Sequence, residues 1–420
     1  MTITDTIDRL SPDERRLLAQ IADLPAPDLD VYAVAASTET PTSQIRKWLG
    51  ELTARNLLEH AGDVAARGPV YTIRPEVADR ALALADGPGT RTAVLQRYLA
   101  YLTTTAYNAA RVLTPHHRVL GHASRPEPAE PVRFSINHVA LAWLDSMADA
   151  LLPAITAAAK YGDYQAATCV PHAAWPLFLY TRRYELWIPV HRQGLAAAER
   201  WGDTVAIREM LAALAAGLRG THDFDEAISC LQRMRTLAEG DLGAIAQASL
   251  GIGACLHADA RYVEAMPQLI AAATRYTRLG HARGQALALI LIGSAHARQG
   301  NPTAGIPVLQ EACTLLSGLT DPDPLNISRA LAYLGEAHSL AGTHDLAASA
   351  LVKALEHFRS LHAPHWTAHT MEFLGQAALR ADQHHAAMDW YSTSLAQYTE
   401  LGSSHDTDRL QRRIRSATHR

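Results

Sequence analysis

From residue 166 onward, apolar and polar positions follow the 3.6-residue period of amphipathic helices, and a two-helix unit recurs about every 40 residues. Small residues occupy one place in five successive copies: Ala227, Ala265, Gly305, Ala347 and Ala387. A second small position lies upstream in each copy: Ala215, Gly253, Gly293, Gly335 and Gly375. Small side chains let two helices approach closely, so the pattern predicts stacked helical hairpins over residues 166–420. A degenerate earlier copy is expected around "RRYELWIPVHRQGLAAAERWGD".

The N-terminal region carries a different pattern, with three short helices before two strand-like segments. Ser11, Pro12 and Glu14 form a capping box at the start of an amphipathic helix that ends before Pro25. A short second helix and a longer third one through "QIRKWLGELTARNLL" follow. "LLEHA" and "PVYTI" then flank a polar turn that contains glycine. This order predicts a degenerate winged-helix-like domain over residues 1–86.

Residues 87–165 separate these two regions. "ADGPGT" interrupts the helical pattern, and a long helix follows from roughly Arg91 to Leu113. The next stretch, "TPHHRVLGHASRPEPAEPVRF", has no periodicity and many prolines, which predicts a mobile loop. We therefore expect a linker helix, a mobile loop and adaptor helices in this segment.

The repeats resemble tetratricopeptide (TPR) repeats, which place small residues at positions 8 and 20 and an apolar residue at position 24. The resemblance implies helix–turn–helix units that stack into a right-handed superhelix with one continuous core. The expected fold class is therefore all-α, a superhelix of TPR-like helix pairs with a small N-terminal winged-helix-like domain. A non-repetitive helical bundle is the alternative.

Several further stretches resemble the C-terminal half of actinobacterial STAND-type (NB-ARC–TPR) regulators: "LPAPDLDVYAVAA", "LTPHHR" and "ALAWLDSMADALLPAI". Those regulators use ATP, but this sequence has no Gly-Lys pair and so no P-loop. Ile73, Arg74 and Pro75 stand where the family's nucleotide-sensing His-Asp pair is expected. The sequence therefore predicts no ATPase activity and no cofactor. The small N-terminal domain is expected to cap the first repeat or to serve as a docking surface.

Composition narrows the class of protein further. The net charge is −4, so the overall balance does not favour nucleic acid or an anionic membrane as partner. The first ten residues lack the apolar stretch of a signal peptide, and no run of 18 apolar residues occurs. The four cysteines are widely separated: Cys169, Cys230, Cys255 and Cys313. These features predict a cytoplasmic protein with reduced cysteines and no membrane partner.

A DNA-binding regulator is the alternative function suggested by the winged-helix-like pattern. Its third helix would present Arg46, Lys47 and Arg55 to a groove of the duplex. However, residues 1–90 contain nine Arg and Lys against fourteen Asp and Glu. Because DNA binding draws much of its affinity from phosphate neutralisation, this balance disfavours nucleic acid as a partner. The alternative stays open as a transcriptional regulator whose repeats sense a ligand.

The TPR resemblance implies a ligand groove lined by the first helix of each repeat. No run of Lys or Arg suits a carboxylate terminus there, so we expect an extended peptide or an amphipathic helix from a partner protein. This non-enzymatic binding, scaffold or regulatory role is the leading interpretation. The predicted groove residues are Glu209, Arg219, Gln247, His257, Ser294, Arg329, Glu336, His369, Glu372 and Gln376.

An enzyme built in the groove is the third hypothesis. Glu336, His369 and Glu372 come from adjacent repeats and are weak candidates for acid–base catalysis of a small molecule or modified peptide. His365 and His369 share a helical face, but no third ligand is evident, so no metal is predicted. The cluster of His116, His117 and His122 likewise lacks a suitable partner. Finally, an uncapped last repeat near "WYSTSLAQYTELG" could pair with a second copy of the chain.

Overall fold

A computed structural model describes residues 3–84, 87–120 and 130–418 of the 420-residue chain. The contacts divide the chain into two compact units. The first comprises Met1–Leu177 and Pro189–Ala206, and the second comprises Phe178–Ile188 and Ile207–Arg420. The division of the chain into domains at residues 86 and 165, which was predicted from the sequence, stays a prediction.

The first unit begins with short helices around a three-stranded antiparallel sheet of order β1-β3-β2. Ser11 caps its second helix as predicted. The hydroxyl of Ser11 accepts from the Glu14 amide at 3.2 Å, and the Glu14 carboxylate accepts from the Ser11 amide at 2.8 Å. The elements are α1 (Ile3–Asp8), α2 (Pro12–Ala22), β1 (Leu29–Asp30), α3 (Val31–Thr38), α4 (Thr42–Ala54), β2 (Leu58–Val64), β3 (Gly68–Ile73) and α5 (Pro75–Ala83).

A buried ion-pair cluster ties the β2–β3 turn to the start of α3. Arg67, at this turn, donates from Nε to Asp30 at 2.7 Å and from Nη2 to Asp28 at 2.6 Å. Asp30 also caps α3, since its carboxylate accepts from the amides of Tyr32 and Ala33 at 2.9 Å. Arg67 and Asp30 are almost completely buried, so these ion pairs fix the β2–β3 turn within the first unit.

Longer helices follow this sheet. The long helix predicted from Arg91 to Leu113 is present, although it begins three residues earlier. The predicted loop after it includes residues 121–129, with His122, which lie outside the described residues. The helices are α6 (Pro88–Leu113), α7 (Asn137–Ser146), α8 (Ala148–Lys160), α9 (Tyr164–Ala173), α10 (Trp175–Thr181), α11 (Tyr184–Trp201) and α12 (Thr204–Gly220).

Within the described ranges, no single helix is long and apolar enough to cross a bilayer. The bent pair of α7 and α8 reaches that length and apolar character, by length and composition only.

The second unit is a regular stack of helix pairs. From α14 onward, each odd-numbered helix packs against the even-numbered helix before it, and α22 follows the last pair. The helices are α13 (Phe224–Thr236), α14 (Leu242–Ala258), α15 (Tyr262–Arg278), α16 (Ala282–Arg298), α17 (Pro302–Ser317), α18 (Pro324–Leu340), α19 (His344–Ser360), α20 (Pro364–Arg380), α21 (His384–Glu400) and α22 (Ser404–Thr418).

The small residues of the repeat pattern lie where the two helices of a pair cross. A Cβ atom on Gly293 of α16 would lie 2.6 Å from the Leu309 side chain and 3.0 Å from the Gly305 carbonyl oxygen of α17. On Gly335 of α18, it would lie 2.6 Å from the Leu351 side chain of α19. These three distances are shorter than normal packing between nonbonded atoms allows. The small positions therefore permit the close helix crossing that the sequence predicts.

Candidate binding surface on the first helices of the repeats

The first helices of neighbouring repeats pack side by side, since α14 contacts α16, α16 contacts α18, and α18 contacts α20. Their side chains form a continuous series of ring contacts, which we call the aromatic row. Its ring centroids are 6.4 Å apart for His257 and Tyr333, 5.9 Å for Tyr333 and Phe373, 4.5 Å for Phe373 and His369, and 5.5 Å for His369 and Trp366. Such distances are those of favourable aromatic contacts.

The predicted groove residues His257 and His369 thus belong to one surface, but three other members of the row were missed. Tyr333 and Phe373 lie 40 residues apart and occupy the same repeat position, two residues before Gly335 and Gly375. That recurrence was available in the sequence. Trp366 is buried in the first turn of α20, where the repeat pattern alone gives no reason to expect an aromatic residue.

Arg298 connects the aromatic row to a carboxylate of the next repeat. Its guanidinium carbon lies 6.0 Å from the ring centroids of both Tyr333 and Phe373, and its Nη2 pairs with Glu336 at 3.0 Å. Burial opposes the charge on Arg298, but the neighbouring Glu336 carboxylate raises the pKa of this arginine above its ordinary value. Glu336 is therefore held by a charge partner within the protein.

Glu372 is held in the same way by the C-terminal helix. Its carboxylate is 2.6 Å from Nη2 of Arg409 and 3.6 Å from Nη1 of Arg413. Arg409 also pairs with Asp406, which accepts a hydrogen bond from His365 at 3.0 Å. Burial acts to raise the pKa of Asp406, but the contacts with His365 and Arg409 hold it well below its ordinary value.

The three weak catalytic candidates consequently differ in their surroundings. Glu336 and Glu372 each have an arginine partner, and the His369 ring packs against Trp366 and Phe373. Burial, together with the charge of Arg409, lowers the pKa of His369 well below its ordinary value. A neutral imidazole among aromatic rings suits ligand packing, and the two carboxylates are already engaged in structural ion pairs.

His257 and Ser294 form a buried polar pair between α14 and α16. The Nε2 atom of His257 is 3.0 Å from the Ser294 hydroxyl, and both side chains are buried. Burial lowers the pKa of His257 to about 3, with further contributions from Arg298, Arg219 and Arg329. His257 is therefore uncharged at neutral pH, and Ser294 serves as its hydrogen-bond partner.

The remaining predicted groove residues are half-buried on these first helices. They are Glu209 and Arg219 on α12, Gln247 on α14, Arg329 on α18 and Gln376 on α20. Arg329 donates to Asn326 at 2.6 Å and lies 5.0 Å from the Trp366 ring centroid. Partial exposure leaves these polar side chains accessible to a ligand.

Among the described residues, no group of three His, Cys, Asp or Glu side chains could hold a metal ion. His117 instead stacks on His172 with ring centroids 4.3 Å apart. Its Nε2 atom lies 2.9 Å from the His172 carbonyl oxygen. These histidines form packing contacts within the first unit.

Helix α4 carries the side chains on which a DNA interface was predicted. Lys47 lies 3.9 Å from Glu51, and Arg55 lies 3.6 Å from Glu14. Arg46 is exposed. Two of the three basic side chains therefore have acidic neighbours, which reduces the positive potential that phosphates require.

The first unit also contains a cavity of about 440 Å³. It lies between α2, the α3–α4 turn and the start of α6, and it is lined mainly by polar side chains. Arg97 at its edge is paired with Glu39 at 2.6 Å.

Comparison with known proteins identifies the repeats. A tetratricopeptide repeat family profile matches residues 326–400, from the third residue of α18 to the last residue of α21. The chain contains tetratricopeptide repeats. The predicted all-α fold class, a TPR-like superhelix, is thereby confirmed.

Solved structures with a related arrangement of helices share little sequence with this chain. A Rap protein complexed with Competence and Sporulation Factor is 12% identical, with a TM-score of 0.47 over 79% of this chain and 98% of that one. The apo form of RapI is 13% identical, with a TM-score of 0.49 over 62% and 93%. A STAND protein with a TPR sensor from Pyrococcus horikoshii is 14% identical, with a TM-score of 0.43 over 99% and 64%. No curated protein matches the chain.

The comparisons support the predicted resemblance to STAND-type regulators only as far as the TPR repeats. The winged-helix-like character of the N-terminal domain and the actinobacterial origin stay predictions.

Proposed function

We propose that this protein is a non-enzymatic regulator or scaffold that binds a peptide segment of a partner protein on the first helices of its repeats. The observation that carries the proposal is the aromatic row, which extends from His257 on α14 through Tyr333 on α18 to Trp366 on α20. A surface that spans several repeats suits an extended ligand better than a compact metabolite.

The chemistry of the surface supports a peptide ligand. The rings of the aromatic row are mostly buried and form an apolar floor, and the half-buried Arg298 adds a donor group across two of them. Gln247 and Gln376 offer amide groups that can bond to a peptide backbone, as predicted from the sequence. The surface therefore combines contacts for apolar side chains with hydrogen-bonding groups for main-chain atoms.

The other predicted functions have weaker support. A groove enzyme would need Glu336 and Glu372 to exchange protons, yet each is engaged by arginine. DNA binding through α4 would compete with the pairs formed by Lys47 and Arg55. A cytoplasmic location and the absence of a cofactor belong to this proposal, and a homo-oligomer is compatible with it.

Selection from a random peptide display library tests the proposal. Purified wild-type protein should enrich a common sequence motif. The double variant His369→Ala/Gln376→Ala should lose that enrichment, because it removes two half-buried groups from the surface. Val263→Ala is the matched control, since Val263 on α15 is 79% exposed and lies on a second helix.

The control variant should enrich the same motif as the wild type. Thermal denaturation of both variants verifies that they remain folded. An identical motif in the wild type and the folded double variant would rule out this surface as the binding site, and no enrichment by the wild type would contradict peptide binding itself.

A further inference from the structure

Three arginines of the second unit carry charges that no carboxylate of the described residues balances. Arg182, Arg219 and Arg329 form no ion pair within the described ranges. The Nε atoms of Arg182 and Arg329 are buried and have no hydrogen-bond partner in that part of the chain. The three side chains are half-buried, but a buried N–H group without an acceptor is unusual because its desolvation is not compensated.

Two of these arginines converge on one aromatic ring. The guanidinium carbon of Arg329 lies 5.0 Å from the ring centroid of Trp366, and that of Arg182 lies 5.9 Å from it. Arg182 reaches this ring from the turn between α10 and α11, and it also lies 5.8 Å from the Trp187 ring centroid. Trp366 thus brings together two positive charges that are 147 residues apart in sequence.

The charges influence one another. The pKa of Arg329 is lowered to about 10, mainly by burial and also by the positive charges of Arg182 and Arg219, although Tyr333 and Asp323 act in the opposite direction. The carboxylate of Asp323 is already engaged, since it accepts from Arg283 at 2.6 Å and from Asn326 at 2.6 Å. An acceptor from outside the protein would therefore relieve the repulsion.

Neighbouring arginines on the same helices are balanced, which makes the three exceptions informative. Arg298 pairs with Glu336 at 3.0 Å, and Arg283 pairs with Asp323 at 2.6 Å. In both pairs, a carboxylate from the next repeat balances the charge of the arginine. Groups kept at a cost to stability are typical of binding sites.

We propose that Arg182 and Arg329, with Trp366 as their platform, bind a carboxylate group of the peptide ligand. This inference rests on the proposed peptide-binding function. A carboxylate presents two acceptor oxygens in a plane, which matches the planar donor fork of a guanidinium group. The carboxylate could be the C-terminal group of the peptide or an aspartate or glutamate side chain, and the test below separates these two sources.

Thermal denaturation with small anions tests the site without knowledge of the peptide. Sodium succinate should raise the Tm of the wild type more than sodium chloride does at equal ionic strength. Arg329→Met should lose the response to succinate, because it removes the guanidinium group that would bind the carboxylate. Val263→Ala on α15 is the control and should keep the wild-type response.

Three results would overturn the carboxylate site in this experiment. The first is an equal succinate response in the wild type and Arg329→Met, and the second is no specific response of the wild type to succinate. The third is a response to inorganic phosphate but not to succinate, which would assign the arginines to a phosphate group.

Peptide libraries then separate this inference from the function on which it rests. Four random libraries are compared, with free or amidated C termini and with or without Asp and Glu. Wild-type protein should retain the library that carries both kinds of carboxylate and reject the amidated library without Asp and Glu. Loss of binding only on amidation identifies the C-terminal group, whereas loss only without Asp and Glu identifies a side chain.

Equal retention of all four libraries, by the wild type and by Arg329→Met, would overturn the carboxylate site and leave peptide binding in place. If the wild type retains none of the libraries, the proposed peptide-binding function fails, and the carboxylate site fails with it.

Discussion

Arg298 at the end of α16 pairs with Glu336 on α18 at 3.0 Å, one repeat further along the chain. The same spacing recurs in other polar pairs of the second unit. Arg283 contacts Asp323, 40 residues away, and His365 contacts Asp406, 41 residues away. These pairs join the first helix of one repeat to the corresponding helix of the next, so they stabilise the stacking of repeats as well as the individual helix pairs.

Removal of only one partner of the Arg298–Glu336 pair should destabilise the second unit. In Arg298→Met, the Glu336 side chain, which is 8% exposed, loses its charge partner. We expect a loss of about 2–3 kcal/mol in the free energy of unfolding, slightly below the range for fully buried pairs because Arg298 is partly exposed. The double variant Arg298→Met/Glu336→Leu should recover most of this loss in urea denaturation. Equal destabilisation of the single and double variants would contradict a role for the pair.

Contact between the two helices of a repeat predicts opposite effects for two glycine substitutions. Gly305→Ala should destabilise the protein by about 1–3 kcal/mol, because the new methyl group would meet the Gly293 carbonyl oxygen of the backbone. Gly50→Ala is the control within α4, where no atom lies within 4 Å of the added Cβ. It should stabilise its helix by about 0.5–1 kcal/mol. Chemical denaturation measures both effects, and a stable Gly305→Ala protein would contradict the close crossing.

His257 should make stability depend on pH. Its pKa falls from an ordinary 6.5 to about 3 in the folded protein, mainly through burial. The unfolded chain therefore binds a proton below pH 6.5 that the folded protein does not bind. The stabilisation is complete above pH 6.5 and is lost as the pH falls toward 3, by about 1.4 kcal/mol per pH unit.

A variant isolates this contribution from those of other buried histidines. The free energy of unfolding is measured in urea at about pH 7.5 and about pH 5.5 for the wild type and His257→Gln. The variant should lose less stability over this interval than the wild type, by about 1.4 kcal/mol. The same pH dependence in both proteins would show that His257 does not titrate as expected.

Arg67 in the first unit should be irreplaceable by lysine. Its guanidinium group reaches both Asp28 and Asp30, and a single ammonium group cannot reproduce this two-sided geometry. Arg67→Ala should destabilise the first unit by about 3–5 kcal/mol because Asp30 stays buried without its partner. Arg67→Lys should recover only a minor part, as followed by hydrogen exchange of the α3 amides. Full recovery by lysine would reduce the interaction to simple charge neutralisation.

Local and periodic features of the chain were predictable from the sequence. The capping box of Ser11 and Glu14 depends on residues three positions apart, so its hydrogen bonds follow from local geometry. The small residues represented by Gly293 and Gly305 recur at one period, and their pattern identified the stacked helix pairs before any contact was known. His257 and His369, which the TPR register names as groove residues, take part in the aromatic row, and their role in binding a ligand stays a prediction.

The partners within that surface depended on the tertiary structure. Arg182 lies outside the regular repeats, and no spacing rule connects it with Trp366. The sequence contains no run of basic residues there, yet folding brings Arg182 and Arg329 to the same ring. The sequence by itself determined the repeating helices, because helix formation and small-residue spacing are local and periodic. Only the tertiary structure decided which charges are paired and which are left for a ligand, because those contacts depend on how successive repeats are rotated against one another.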